Sequence, residues 1–456
     1  MDGYPPFANL VYDVATMTWV RMTQPLVDSI TSNLYLAVDQ VESLLTDIKA
    51  QGAANLDGPP RDAFSRLRVS DPVTLFDASF EYGIDTDQFD QSTASTGSIS
   101  HSTTSGMVTM TADAFTNSTA ILQSRAYQRY QPGKSQMVVM TGLIGAPVSG
   151  VTKRVGYFDD NDGIFLEQQG LSGLYWVRRD STSGSVVDNA VAQDDWNLDP
   201  LDGNGPSGIT LDVNDTQIVF IDLQWLGIGR VRVGFDIDGV IVYCHEFLNA
   251  NNGQVRPYMR TANLPVRWWI KNASNAAPGT LKPVCCTVIS EGGFEEGRGE
   301  TLSAAGSTGR TVASRRALVS IRPKATLGGL TNRAQILPTD FSATFTGTNI
   351  VTLVEIVYNP TFTGTPTWAS AGAESAVEYS VHGDAAAGAF TGGLVVDSFF
   401  VSGTSQQRSA TAKVITARYP LALDIAGANP RALSIVGTDV SGSATGYVSV
   451  TWREIR

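Results

Sequence analysis

Cysteine, histidine and lysine are all scarce in this sequence. Of its 456 residues, three are Cys and three are His, and seven of the 32 basic residues are Lys. Three cysteines, two of them adjacent, are too few for a disulfide framework, so we expect the chain to fold in a reducing cytoplasm. The histidines lie in separate segments, and neither an HExxH nor a CxxC motif is present. The sequence therefore has few residues that could form a zinc site or a Ser-His-Asp triad. We expect no metal and no other cofactor.

The chain also lacks a net positive charge and long apolar runs. The chain has 32 basic and 44 acidic residues, a net charge of −12, and charged residues make up 17% of it, against roughly 25% in an average soluble protein. Nucleic-acid binders neutralise phosphates with clustered Lys and Arg, so we expect no nucleic-acid partner. No apolar run approaches the roughly 20 residues that span a bilayer, and the N-terminus does not resemble a signal peptide. We therefore expect no membrane insertion.

The sequence predicts an extended N-terminal docking arm over residues 1–32. Pro5-Pro6 and Pro25 bracket an apolar and aromatic stretch, LVYDVATMTWV. A lone hairpin of this size is only marginally stable in water, so the arm needs a partner surface. We expect it to dock onto the rest of the molecule or onto another protein.

Residues 33–62 predict one short helix followed by a linker. Five apolar residues are spaced by four, three, four and three positions, the a/d alternation of a heptad repeat. They are Leu34, Val38, Val41, Leu45 and Ile48. Two heptads are short for a coiled coil, so an amphipathic helix lying on its own domain is an alternative. The linker QGAANLDGPPRD favours a separate stalk, and we interpret the five residues as a subunit-association seam.

Residues 63–296 predict a β-sandwich or jelly-roll domain. In its clearest unit, VRVGFDIDGVIVYCHEF, apolar residues alternate with others around Asp238-Gly239, a dipeptide favoured in two-residue type I′ turns. Short strands separated by Gly, Asp and Asn, with no helical period between them, are typical of a sandwich. Further strands are expected at Gln136–Ile144, Thr152–Phe158, Gly163–Gln168, Leu174–Arg179 and Leu264–Lys271.

Residues 297–312, rich in Gly, Ser and Thr, predict a second linker. Strands resume over 313–456, where eight are expected, about the size of one further β-sandwich. The fold class is therefore mainly β, with the arm and one coiled-coil-like helix before two sandwich domains. The eight strands are Ala317–Ile321, Phe341–Thr346, Ile350–Tyr358, Ala376–Val381, Leu394–Val401, Ala410–Tyr419, Leu433–Gly437 and Gly446–Trp452.

Few residues suggest catalysis or metal binding. His245 is predicted on one strand face with Ile241, Tyr243 and Phe247, and we interpret it as structural because no base–nucleophile geometry can be found. The loop Asp159–Gly163 has oxygen atoms of the kind that bind calcium, but it lacks the spacing and the distal Glu of an EF-hand. Asp, Asn and Gly are also the usual residues of β-turns. Paired carboxylates could serve a glycosidase, but 44 acidic residues supply such pairs by chance. We predict no catalytic residue.

Aromatic residues beside arginine suggest a contact with sugar or protein. Trp268-Trp269 and Trp176, in the phrase LYWVRR, are the clearest examples. Exposed rings of this kind could stack on sugar rings or on a partner protein. Neighbours on a strand point to opposite faces, so at least one of each adjacent pair is expected in a core or in a subunit contact.

Several phrases resemble a family of tailed-bacteriophage virion proteins. The similarity covers residues 1 to about 296, including the arm and the helix, whereas after 310 only the β-rich, small-residue character is similar. The family is described as structural or tail-associated, so the resemblance implies no catalytic residues. The phrases are AFSRLRVSDPVTLFD (63–77), YQPGKSQMVVMTG (130–142), AQDDWNLDPLDGNGPSGITLD (192–212), VRVGFDIDGVIVYCHEFLNANN (231–252) and TVISEGG (287–293).

The resemblance implies a virion component made in the cytoplasm of a bacterial host. We expect a non-enzymatic homotrimer that forms part of a tail fibre, spike or other appendage, with the arm contacting other virion proteins. Three alternatives stay open: an adhesin that binds host-surface glycan, a capsid decoration protein and, more remotely, a glycan hydrolase. Exposed Trp in a concave site would favour the adhesin, and a groove with two close carboxylates would favour the hydrolase.

Overall fold

A computed structural model describes residues 10–13, 18–21, 62–63, 71–274, 277–293, 299–306, 308–383, 385–402, 407–411 and 418–456. The chain divides into two compact units, Met1–Arg61 and Asp62–Arg456. In the first unit, the described residues form an antiparallel hairpin of β1 (Leu10–Asp13) and β2 (Thr18–Arg21). The predicted helix and its five seam residues lie outside the described residues, so subunit association through them stays a prediction.

The second unit begins with an antiparallel β-sandwich, the central sandwich. A short 3-10 turn, Gln193–Asp195, follows its strand β12. The strands are β3 (Val73–Ser79), β4 (Phe89–Ala94), β5 (Ser98–Ser102), β6 (Met107–Ala112), β7 (Ser118–Ser124), β8 (Gln136–Leu143), β9 (Val151–Phe158), β10 (Gly163–Gln169), β11 (Leu174–Asp180), β12 (Val187–Ala192), β13 (Thr216–Leu223), β14 (Val231–Ile237), β15 (Val240–Phe247), β16 (Val266–Asn272) and β17 (Gly279–Ser290).

Two sheets form the layers of the central sandwich. The seven-stranded sheet has the order β12-β11-β10-β9-β16-β7-β4, and the eight-stranded sheet has the order β15-β14-β13-β8-β17-β6-β5, with β3 also paired to β17. Apolar side chains from both sheets form one hydrophobic core. Across this core, the ring centroids of Trp176 on β11 and Phe235 on β14 are 6.0 Å apart. Each sheet therefore has one face in the core and one outer face.

A second sandwich, the C-terminal sandwich, follows in the same unit and has its own core. One sheet has the order β18-β32-β23-β30, with β19 also paired to β32, and the other has the order β26-β27-β20-β31-β24-β29. Two further pairs, β21–β22 and β25–β28, form small two-stranded sheets. The strands are β18 (Glu300–Ala305), β19 (Arg310–Val312), β20 (Arg316–Pro323), β21 (Thr326–Leu327), β22 (Leu330–Thr331), β23 (Gln335–Thr346), β24 (Val351–Tyr358), β25 (Thr361–Phe362), β26 (Ala369–Ser370), β27 (Val377–Val381), β28 (Phe390–Thr391), β29 (Leu394–Ser402), β30 (Gln407–Thr411), β31 (Leu433–Asp439) and β32 (Ala444–Ile455).

The structure confirms the predicted mainly β fold with two sandwiches, and it corrects two segments. The supposed linker over 297–312 contains β18 and β19, which both pair with β32, so backbone pairing overrides the low apolar content there. Of the strand expected at Ala410–Tyr419, residues 410 and 411 lie in β30 and Tyr419 lies outside any strand, whereas 412–417 lie outside the described residues. Among the described residues, no helix is long and apolar enough to cross a membrane.

The predicted turn at Asp238-Gly239 is confirmed. Strand β14 ends at Ile237 and β15 begins at Val240, and the two turn residues have φ angles of 54° and 79°. Both values lie in the left-handed region, as a type I′ turn requires. The hairpin therefore forms with the connection that its sequence favours.

A β-bulge corrects part of the predicted face of His245, which stays with Phe247 but is separated from Ile241 and Tyr243. Val233 of β14 pairs with His245, whereas the next residue of β14 pairs with Tyr243, so Cys244 is the extra residue of the bulge. His245 thus shares the buried face of Val233, and its ring centroid lies 4.6 Å from that of Phe247. Strict alternation would have placed it with Tyr243, and the bulge shifts the register by one residue.

Polar contacts join the two sandwiches. Arg418 forms an ion pair with Asp85, 3.0 Å between Nη2 and Oδ2. The backbone N–H of Ile425 donates to Asp90 Oδ2 at 2.8 Å, so the turn between β3 and β4 and the strand after it are both anchored to the C-terminal sandwich. The two sandwiches belong to one compact unit for this reason.

We predict that replacing Gly239 by Val destabilises the second unit by about 1–3 kcal/mol, because a β-branched residue is strained at positive φ. Chemical denaturation followed by intrinsic tryptophan fluorescence measures the effect. Gly239→Asn is the matched control, since Asn tolerates this backbone region and should cost less. Equal stability of the Val and Asn variants would contradict the turn assignment.

Candidate functional site

A row of side chains crosses the outer face of the seven-stranded sheet. Each member lies directly opposite the next on the neighbouring strand, so the row runs perpendicular to the strands. Four neighbouring members at its centre carry aromatic, basic or acidic side chains. We call this set the outer row; it comprises Ser92, Ile121, Trp269, Arg154, Glu167, Tyr175 and Ala192.

The strand β16 explains why Trp269 belongs to this row. Its preceding residue, Trp268, is fully buried in the core between the two sheets. Because successive side chains on a strand point to opposite faces, Trp269 is directed outward, where it packs against the small cluster of Phe158, Phe165 and Val177. The sequence predicted that at least one of the two tryptophans would be in a core, and this is confirmed.

Arg154 holds the centre of the outer row. Its Nε donates to Glu167 Oε2 at 2.5 Å, and its guanidinium carbon lies 4.5 Å from the ring centroid of Trp269 and 5.1 Å from that of Phe165. A guanidinium placed over aromatic rings is attracted by their negative faces. One arginine therefore ties together two aromatic rings and a carboxylate on neighbouring strands.

A second arginine, Arg179, lies beside the same phenylalanine ring as Arg154 and binds a nearby carboxylate. Arg179 makes two hydrogen bonds to the carboxylate of Asp188, each 2.8 Å long, and lies 5.2 Å from the ring centroid of Phe165. Burial alone would raise the pKa of Asp188, but the hydrogen bonds and the charge of Arg179, with a smaller contribution from Arg154, lower it overall. Asp188 is therefore held as a carboxylate between two cations.

Part of this face is closed and part is accessible. Phe158 and Phe165 are almost fully buried although they lie on the outer face, because arginine side chains cover their rings. A Cβ built on Gly156 would lie 2.6 Å from Phe165 Cβ, so glycine makes room for this ring. Trp269 and Tyr175 are only partly buried. The accessible part thus offers aromatic rings flanked by fixed hydrogen-bonding groups.

Only part of this site could be predicted from the sequence. Trp176, singled out as a possible stacking residue, is fully buried, and its Nε1 donates to Cys244 Sγ at 3.0 Å. Its neighbour Tyr175 is the residue on the outer face. Arg154 and Glu167 were not singled out, because the two residues become neighbours only through the pairing of β9 with β10. Alternating polarity on β9 and β10 was the one available signal.

The Asp-rich loop Asp159–Gly163 is a hydrogen-bonded turn. Asp159 Oδ1 accepts the backbone N–H groups of Asn161 and Asp162, at 2.8 and 3.0 Å. Asp162 Oδ1 accepts the backbone N–H groups of Ser181 and Arg260, at 3.2 and 2.9 Å. These oxygens are directed at N–H donors, which is the role that Asp normally has in turns.

His382 takes part in a buried hydroxyl network in the C-terminal sandwich. Its Nδ1 lies 3.0 Å from the carbonyl oxygen of Ala387, so Nδ1 carries the hydrogen and donates it. Its Nε2 lies 2.8 Å from Ser320 Oγ, which in turn lies 2.6 Å from Ser434 Oγ. Ser320 and Ser434 are fully buried. The network therefore holds strands together and offers no hydroxyl to a substrate.

The comparisons with known proteins identify no family. No protein-family profile and no curated protein matches the chain. Solved structures are similar to about half of it. One is a protein of unknown function from Shewanella oneidensis MR-1, with 9% identity and a TM-score of 0.32 over 51% of this chain and 92% of that chain. Another is a legume lectin-like domain from Entamoeba histolytica, with 11% identity and a TM-score of 0.28 over 47% of this chain and 97% of that chain. A third is arcelin-5, a lectin-like defence protein from Phaseolus vulgaris, with 9% identity and a TM-score of 0.29 over 48% of this chain and 99% of that chain. The likeness is limited to the layered β architecture.

We predict that stability falls as the pH is lowered from 7 to 5. Burial lowers the pKa of both His245 and His382 from 6.5 to about 4. Between these values only the unfolded chain takes up the protons, so the stability present above pH 6.5 is lost as the pH falls towards 4. Urea unfolding at several pH values measures this slope.

The control for this prediction is the double variant His245→Asn, His382→Asn. Its unfolding free energy should be lower at pH 7 and should depend less on pH between 7 and 5. A wild-type chain with the same urea midpoint at pH 7 and pH 5 would contradict the burial of two neutral imidazoles.

Proposed function

We propose that this protein is a non-enzymatic virion appendage component that binds host-surface glycan through the outer row. The observation that carries the proposal is the alignment of Trp269, Arg154, Glu167 and Tyr175 on four adjacent strands. This alignment places two accessible aromatic rings on either side of an ion pair, on a rigid sheet.

The chemistry of a sugar ring suits this arrangement. The C–H groups on one side of a sugar ring are apolar and slightly positive, so they pack well on the negative face of an aromatic ring. Hydroxyl groups around the ring need donors and acceptors in fixed positions, which Arg154 and Glu167 supply. Because these two side chains already neutralise each other, the site favours an uncharged polyhydroxylated ligand over a free ion.

The shape of the row indicates an extended ligand. Seven neighbouring strands, separated by about 4.8 Å, give a row about 29 Å long. The row runs straight across the sheet, so a linear chain of sugar units could lie along it. A polysaccharide therefore fits this face better than a single sugar.

The charges in the row support binding without cleavage. A glycosidase needs one carboxyl group that keeps its proton so that it can protonate the leaving group. Asp188 has a lowered pKa because Arg179 binds it twice, and Glu167 is paired with Arg154. Asp188 is therefore a poor proton donor, and the carboxylate of Glu167 is placed as a hydrogen-bond acceptor.

The virion assignment rests on the resemblance to tailed-phage proteins, including the phrases 63–77 and 231–252. In this proposal, residues 1–32 attach to other virion proteins, and residues 33–62 associate as a homotrimer. The two sandwiches then project from the particle towards the host surface. The protein is made in the host cytoplasm and acts as part of the virion.

We predict that Trp269→Ala lowers glycan affinity by about tenfold or more, a loss of about 1.4 kcal/mol, because the largest accessible ring of the row is removed. Calorimetric titration of the intact chain with a panel of purified bacterial O-polysaccharides and capsular polysaccharides measures the affinity. Tyr82→Ala is the matched control, since Tyr82 is 90% exposed in the segment between β3 and β4 and is not part of the outer row. Unchanged affinity in Trp269→Ala, or equal losses in both variants, would contradict the proposal.

We also predict that the intact chain releases no oligosaccharide from any polysaccharide that it binds. An assay for new reducing ends tests this prediction. Glu167→Gln and Asp188→Asn should alter binding only, because in this proposal both carboxylates act as hydrogen-bond acceptors. Cleavage by the wild-type chain that disappears in either variant would replace the adhesin with a hydrolase.

A further inference from the structure

The C-terminal sandwich repeats the chemistry of the outer row at a separate place. Arg322 on β20 lies opposite Glu378 on β27, and its Nε donates to Glu378 Oε1 at 2.6 Å. The guanidinium carbon of Arg322 lies 3.9 Å from the ring centroid of Trp368. The ring of Phe362 meets that of Trp368 edge-on, with centroids 5.9 Å apart.

The two arrangements agree in detail. In each of them, an arginine donates through Nε to a glutamate on the adjacent strand and stacks on an indole ring. The central sandwich uses Arg154, Glu167 and Trp269 for this purpose. A guanidinium has five N–H donors in a fixed plane, so an arginine bound through Nε keeps the capacity to donate to a ligand hydroxyl. The second set therefore has the groups that we propose for sugar binding in the first.

The second set is more accessible than the first. The side chains of Arg322 and Glu378 are 29% and 24% exposed, whereas those of Arg154 and Glu167 are 18% and 9% exposed. A ligand can therefore reach this ion pair without any opening of the sandwich. Glu378 also lies opposite Ser370 on β26, which adds an exposed hydroxyl beside it.

Trp368 packs on Phe362 and Arg322 at the edge of an apolar cluster and is not itself a member of that cluster. Phe362 and Phe390 are anchored on a small apolar cluster with Ala317, Val357 and Val436. Trp368 belongs to no hydrophobic cluster among the described residues. A large aromatic residue outside every core is better explained by a ligand than by stability, since surface aromatics with a polar partner are typical of binding surfaces.

We propose that Arg322, Trp368 and Glu378 form a second glycan-binding site, so that one chain binds a polysaccharide at two places. The inference rests on the proposed function of the outer row. Both sites lie in the same compact unit, so a polymer long enough to contact both would be held by linked sites. Linked sites of this kind raise overall avidity by about 10²–10⁴ without any new contact. The ligand class is therefore a repeating, uncharged polysaccharide.

The test counts the bound fragments. Short oligosaccharides are prepared by partial acid hydrolysis of a polysaccharide that the intact chain binds, and calorimetry gives the number bound per chain. We expect two fragments per wild-type chain, and one for each of Trp368→Ala and Trp269→Ala. Phe400→Ala is the control, because Phe400 is 64% exposed on β29 of the same sandwich, and it should bind two.

A further variant guards against a folding defect. Arg322→Lys keeps the charge but loses the planar stack on Trp368, so it should also bind one fragment while its thermal unfolding matches that of Phe400→Ala. One fragment per wild-type chain, lost in Trp269→Ala and retained in Trp368→Ala, would overturn the second site and leave the proposed function intact. A wild-type chain that binds no polysaccharide of the panel would overturn both.

Discussion

The burial of Trp268 is the constraint on which the candidate site depends. Its ring lies 5.7 Å from that of Phe80 and 6.3 Å from that of Phe89, and it is fully enclosed between the two sheets of the central sandwich. This packing fixes the register of β16 between β9 and β7. A slip of one residue would exchange the two faces of the strand and bury Trp269 instead. The position of Trp269 beside Arg154 is thus a consequence of core packing.

Arginine rather than lysine suits the outer faces of both sandwiches. An arginine can stack on an aromatic ring and at the same time bind a carboxylate in its plane, which the ammonium group of lysine cannot do. Arg154 and Arg179 cover Phe165 in this way, and Arg315 covers Phe390 while it binds Glu355. The scarcity of lysine in the sequence has a structural explanation in these contacts. Charged groups here cover apolar surface as well as carrying charge.

The two sandwiches are held together in one compact unit by side-chain contacts. The ion pair of Arg418 with Asp85 and the hydrogen bond from Ile425 to Asp90 connect them. Arg333 adds a contact, with its guanidinium carbon 4.5 Å from the ring centroid of Tyr127. These contacts connect the central sandwich, which carries the outer row, with the C-terminal sandwich, which carries the second proposed site. A long ligand would therefore meet a fixed pair of surfaces.

The sequence by itself determined the mainly β class with two sandwiches and many of the strands, because alternation of apolar residues and turn-forming dipeptides are local properties. The turn at Asp238-Gly239 and the opposite faces of Trp268 and Trp269 follow from local geometry alone. Tertiary structure decided the rest. The bulge at Cys244 moved His245 to the other face, and pairing with β32 turned part of the supposed linker 297–312 into strands. The rows of Trp, Arg and Glu exist only because strand pairing brings together residues that are distant in sequence, and no local pattern encodes which strands become neighbours.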